Sequence, residues 1–330
     1  MSTAWKRRRE GGGWFAIWLI RSIGRYGGRG VARACLYPIT LYFLLRRGAE
    51  RRDSRAWLTR ALGRPATLLD VARHIHCFAA TILDRVFLLS ESTRRFDVSI
   101  RNVEAVHAQL DQGNGVLLFG SHLGSFEVLR VLAQERPDYT IRIVLDKAHN
   151  VAMQSLLDAL NPALARSIID AGQDGPALML EIQQAVQSGA LVALLVDRVH
   201  PGGQVMSAPF FGRPARFPVA PWLIAAVLKV PVALGFGLYR GGNRYELVFE
   251  AFTDGTDIPR AQLRAAVAAL IQRYAARLEH HARSAPYNWF NFYDFWTDDD
   301  PLQDDVAEGI ARDVAGGVVA GDGSGVGRVA

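Results

Sequence analysis

The histidine in "GVLLFGSHLGSFEVLR", residues 115–130, follows directly on an apolar run and precedes a glutamate by five positions. Imidazole changes charge near neutral pH, so a histidine presented at the end of a buried strand is a candidate general base. Gly120, Ser121, His122, Leu123 and Gly124 have the Gly-x-Ser-x-Gly frame of a nucleophile elbow, with histidine in the nucleophile's place. A base displayed there has to activate a hydroxyl that the substrate brings. Glu127 is its candidate partner. On a continuous helix, residues five apart are rotated by about 140° and cannot meet. If Gly124 caps a helix and Glu127 lies on its first turn, the carboxylate can reach back, hold the imidazole tautomer and stabilise the imidazolium. A glutamate there also serves capping alone, and a strand-end histidine also occurs as a satisfied polar residue. Ser121 and Ser125 are off-centre as nucleophiles.

Residues of this kind need a scaffold that presents strand ends. Short apolar runs rich in β-branched residues predict buried strands at 116–119, 141–145, 191–196 and 232–238, then 245–252. Helical patterns fall between them at 126–134, 152–165, 177–187 and 219–229, with a long one before the first strand (61–91) and another at 260–282. Alternation of this kind predicts an α/β fold, a mostly parallel central sheet with helices on both faces. The last two strands are joined by little more than "RGGNR", so they read as an antiparallel hairpin. Sites in such sheets lie at the carboxyl ends of the strands, where both His122 and Asp197 fall.

Charge divides the chain. Residues 1–60 hold 14 Lys or Arg against 3 acids, although the whole chain carries only +6, so the remainder is slightly acidic. The apolar runs in this segment are too short for a spanning helix of roughly 20 residues. Arg21, Arg25, Arg29 and Arg33 recur every four residues, which predicts a basic stripe on an amphipathic helix lying on an anionic membrane surface. The expected organisation is a basic amphipathic membrane anchor over 1–60, a catalytic domain over 61–296, and an acidic, Gly-rich disordered tail over 297–330. Cys35 and Cys77 form neither a disulfide framework nor a metal-spaced cluster.

The spacing His122-x4-Glu127 behind an apolar strand resembles the motif of the lysophospholipid acyltransferase superfamily, specifically its bacterial lipid A biosynthesis acyltransferase branch. "VLDKAHN", "VALLVDR" and "APFFGRPARFPVAPWLIAAVLKVPVALGF" resemble that branch's later blocks, and the resemblance spans roughly residues 14–296. It implies a glycerol-3-phosphate acyltransferase-like fold. It further implies transfer of a fatty acyl group from an acyl carrier protein or coenzyme A thioester to a lipid hydroxyl, at the cytoplasmic face of the inner membrane, with no metal or bound cofactor. His122 matches the family's general base, Glu127 its acidic partner and Asp197 a strand-end acid. Lys147, Arg198, Arg213 and Arg216 are further candidates for phosphate contacts; Arg216 is favoured because a helix start at 217–219 would add backbone N–H groups. The alternative for each is a solvated loop cation, a reading of equal weight for Lys147 and Arg213. Phe211 and Gly212, in "PFFG", either line an acyl channel or belong to the core.

"APYNWFNFYDFW", residues 285–296, packs seven aromatics into twelve residues and departs from the lipid A pattern. It is more similar to acyltransferases associated with aryl-polyene or other glycolipid pathways. Its rings could roof an acyl chain, anchor in a headgroup layer, or close the core. Two other classes compete with acyl transfer. A glycosyltransferase would use the acidic "TDDDP" as a metal motif, but that run opens the tail and follows no strand. A noncatalytic membrane or nucleic-acid binder would rest on the arginines, yet the body lacks the basic face that nucleic acid needs.

Overall fold

The computed structural model describes residues 28–89, 95–148, 151–199, 202–255 and 257–296. The arginines at 21 and 25, the apolar run near residue 14 and the tail from 297 lie outside the described residues. Seven strands form one sheet in the order β1 (Asp97–Arg101), β9 (Arg244–Asp254), β8 (Pro231–Tyr239), β2 (Val116–Gly120), β5 (Leu191–Leu195), β3 (Ile141–Leu145) and β4 (Ile168–Asp170). The five strands from β8 to β4 run parallel, while β9 turns back antiparallel on β8 and carries β1 with it. The expected hairpin of the last two strands is present. The edge strands β1 and β4 were not anticipated, since their runs are short and flanked by polar residues.

The period of two along each central strand builds two cores. Leu117 and Phe119 of β2, with Val192 and Leu194 of β5, face one core. Their alternates Val116, Leu118, Leu191 and Ala193 face the other. Such doubly buried strands read as continuous apolar runs, which is why they were legible. The first core is covered by α3 (Gly48–Leu62), α9 (Gly175–Gln187), α10 (Ala220–Leu228) and α11 (Leu263–Ser284). The second is covered by α1 (Gly28–Ala34), α2 (Leu36–Arg46), α4 (Leu68–Leu89), α5 (Glu104–Asp111) and α6 (Arg130–Glu135). The helix expected over 152–165 is two, α7 (Val151–Leu160) and α8 (Pro162–Arg166), divided where Asn161 accepts the Leu164 N–H at 3.0 Å and Pro162 opens the second.

The arginine stripe is corrected at its described end. Arg29 forms a two-pronged ion pair with Asp84 (2.8 and 2.9 Å), and Arg33 donates to the Tyr239 hydroxyl at 2.8 Å and the Gly242 carbonyl. Asp84 is fully buried and also accepts from Tyr245 at 3.1 Å. A carboxylate withdrawn from water needs a counter-charge. These two arginines supply it and so turn inward.

Candidate active site

β2 ends at Gly120, and the next five residues form a loop held from two sides. On one side Gly124 adopts φ +81° and passes so close to β8 that any Cβ would collide with the Gly237 carbonyl. Ser125 donates its N–H to that carbonyl at 2.8 Å. On the other side lies the aromatic segment 285–296. Gly124 N–H donates to the Asn288 carbonyl (2.8 Å), Phe290 N–H donates to the His122 carbonyl (2.9 Å), and Leu123 pairs with Trp289. The segment's rings close the core around Trp57 and Phe210, with Trp289 and Trp296 both buried. Core closure is therefore its main packing role, and bracing the His122 loop follows from it.

β2 and β5 are parallel neighbours with Gly120 opposite Leu195, so the residues two beyond each strand meet. They are His122 and Asp197. The His122 N–H donates to Asp197 Oδ2 at 3.0 Å, and Nδ1 lies 2.8 Å from Oδ1. A carboxylate only accepts, so Nδ1 carries the hydrogen and Nε2 keeps its lone pair. The Asp197 side chain is wholly buried while that of His122 is 30% exposed, which leaves the ring reachable from outside. Burial lowers the imidazole's pKa below its ordinary value, the positive charge of Arg198 adds to this, and Asp197 opposes both. Burial would raise the Asp197 carboxyl; the charge and hydrogen bond of His122 outweigh it and hold the pKa low. The arrangement is a neutral base backed by an ionised acid.

Glu127 is placed differently from expectation. Residues Phe126–Leu129 form a 3₁₀ turn, and the α-helix begins only at Arg130, so Gly124 caps no helix. The Glu127 carboxylate pairs with Arg85 of α4 at 2.6 Å and accepts from Ser125 Oγ at 2.8 Å. Asp197, expected only as a strand-end acid and not as the partner of His122, is the acid bonded to the imidazole. Its chance of detection was poor because the two residues are 75 positions apart and meet only through strand register.

The remaining candidates divide. Arg198, next to Asp197, donates Nε to Asn291 Oδ1 and Nη2 to the Phe290 carbonyl, both at 2.9 Å. Lys147 follows β3, two strands from β2 on the same sheet edge, with its N–H on Asp170 at 3.2 Å. Arg213 and Arg216 lie on β7 (Arg213–Pro218), paired antiparallel with β6 (Val205–Phe210), and α10 starts only at Ala220. With Val219 as its N-cap, the helix start expected over 217–219 falls at the end of that range, three residues beyond Arg216. Phe211 and Gly212 form the tight turn of that hairpin with φ of 49° and 75°, the left-handed pair of a type I′ turn. Phe211 is buried edge-on against Trp57, so it belongs to the core. A shallow depression of about 410 Å³ lined by Asn114, Lys229 and Asp254 lies where β2 and β8 begin, at the sheet edge away from His122.

The family model for bacterial lipid A biosynthesis acyltransferases matches residues 16–297, a span that includes His122, Asp197 and the aromatic segment. The chain belongs to this family. It is an acyltransferase, and family membership implies transfer of an acyl group to a lipid acceptor. No curated protein matches it. In this acyltransferase three contributors escaped the sequence reading. Arg85 sits in the helical pattern 61–91 with no local signal of its own, and Asn291 and Phe290 lie in a segment whose aromatics drew attention away from its amide.

Proposed function

We propose that the protein is a membrane-surface O-acyltransferase moving an acyl group from an acyl carrier protein or coenzyme A thioester to a hydroxyl of a lipid or glycolipid acceptor. His122 acts as general base and Asp197 orients it. Glu127 fixes Arg85 and Ser125 rather than the imidazole. The observation that carries this reading is the 2.8 Å contact between His122 Nδ1 and Asp197, which leaves Nε2 for the acceptor hydroxyl. The acceptor oxygen attacks the thioester carbonyl carbon as Nε2 takes its proton. The C–S bond then breaks, and the leaving thiolate takes that proton back. Arg85 and Arg198 both bring positive charge to His122, as suits donors and acceptors that bear phosphate. An acceptor of the aryl-polyene-associated or other glycolipid type remains compatible with these residues.

Location at the inner membrane's cytoplasmic face is supported by family membership and by one exposed face. Among the described residues no helix is long and apolar enough to cross a membrane. On α2, Tyr37, Leu41 and Leu45 recur every four residues and are each more than half exposed, as are Leu68 and Leu69 at the start of α4. Arg46, Arg47, Arg51 and Arg52 follow immediately. An apolar stripe beside cations matches an anionic bilayer surface. The test supplies the purified full chain with a radiolabelled dodecanoyl thioester, on coenzyme A or on carrier protein, and vesicles of bacterial lipid extract. Wild type should label a lipid, and His122→Ala should bind the vesicles and label none. Equal labelling by both would remove the base from the reaction.

A further inference from the structure

Phe290 joins the two halves of the site through its own peptide groups. Its N–H is given to the His122 carbonyl at 2.9 Å, and its carbonyl receives Arg198 Nη2 at 2.9 Å. Asn291 completes the grip by accepting Arg198 Nε at 2.9 Å, and the Tyr293 ring lies 5.7 Å from the guanidinium carbon. These acceptors are a carbonyl and an amide, so they fix the guanidinium without neutralising it. Asn291 is almost wholly buried, and its Nδ2 has no partner among the described residues. An unpaired buried donor is a cost that an apolar residue would not carry, so the side chain is there for its oxygen. That oxygen holds Arg198.

We infer that Asn291 is a positioning residue that holds Arg198 beside His122, where the guanidinium stabilises the negative oxygen formed at the thioester carbonyl. The inference rests on the acyl-transfer reading above. As the acceptor oxygen bonds to the carbonyl carbon, the carbonyl π pair moves onto oxygen while the hydroxyl proton goes to His122 Nε2. Collapse re-forms the carbonyl and expels the thiolate, which takes the proton from the imidazolium. The charge on oxygen exists only between those events. A fixed guanidinium bonded only to neutral acceptors therefore favours the transition state over bound substrate. The lowered pKa of His122, to which the Arg198 charge contributes, agrees with this placement.

Asn291→Asp separates this role from a structural one. The carboxylate keeps the acceptor and the size of the side chain but cancels the charge on Arg198. A packing or tethering role would leave that variant as active as wild type. The full-length protein, histidine-labelled and in detergent micelles, is titrated by NMR, with the His122 signal assigned by its loss in His122→Ala. Arg198→Met and Asn291→Asp should each raise the His122 pKa by on the order of one unit. An unmoved pKa in both would overturn the placement. Coenzyme A release from dodecanoyl-CoA on lipid-extract vesicles gives the second reading. Arg198→Met should lower kcat by about 10²- to 10³-fold with KM for the donor nearly unchanged. Asn291→Asp should lower kcat at least tenfold while thermal unfolding stays that of wild type. A rise in KM alone would make Arg198 a phosphate contact and overturn the inference. Release equal in wild type and His122→Ala would instead sink the acyl-transfer reading, and the inference with it, whatever the titration shows.

Discussion

Two histidines flank the same aromatic segment and are put to opposite uses. His74, on α4, receives a hydrogen bond from Ser54 Oγ on Nδ1 (2.8 Å) and gives one from Nε2 to the Trp289 carbonyl (3.0 Å). Both nitrogens are spent on neutral partners, the ring is fully buried, and burial brings its pKa down to about 4. His122 spends one nitrogen on a carboxylate, and among the described residues its Nε2 has no hydrogen-bond partner. The difference lies in what backs the ring. A neutral acceptor fixes an imidazole in place, whereas a buried carboxylate also stabilises the imidazolium that a base must become.

Substitutions can break this contrast from either end. The largest effect is expected at Asp197. Asp197→Asn removes the charge that stabilises the imidazolium and should lower acyl transfer by on the order of 10³- to 10⁴-fold with the fold intact; lipid labelling at saturating donor checks this. His74→Leu should leave the catalytic constant within a few-fold at permissive temperature but destabilise the protein by roughly 3 kcal/mol, measured by denaturant unfolding. The pH dependence of stability sharpens the same point. The fold accommodates only the neutral His74 ring, so its contribution is complete above the ordinary value of 6.5 and is lost as pH falls from there through about 4. Wild type should lose stability over that window, and His74→Leu should lose less. Glu127→Gln is expected to lower turnover by roughly ten- to hundredfold, well short of Asp197→Asn, the cost of one charge-assisted contact to Arg85. A Glu127→Gln defect as deep as that of Asp197→Asn would return Glu127 to the imidazole.

The parallel strands were legible because their residues are apolar on both faces, and His122 because it ends one of them. What could not be read was the pairing. Whether Asp197 or Glu127 meets the imidazole depends on β2 and β5 being neighbours in register and on the turn after Ser125 being 3₁₀ rather than α-helical. Neither leaves a local pattern. The arginine stripe failed for a related reason. Spacing placed Arg29 and Arg33 on one side of a helix, but the buried Asp84, more than fifty residues away, decides which way that side faces. The exposed apolar stripe on α2 was hidden in the same segment, because the sequence alone does not tell an outward leucine from a core one.

The tautomer of His122 in the resting protein tests the central claim most directly. Nitrogen NMR of the labelled full chain at neutral pH should show the proton on Nδ1 in wild type, with that preference lost in Asp197→Asn and kept in Glu127→Gln. A proton on Nε2 in wild type, or a preference that survives in Asp197→Asn and disappears in Glu127→Gln, would contradict it.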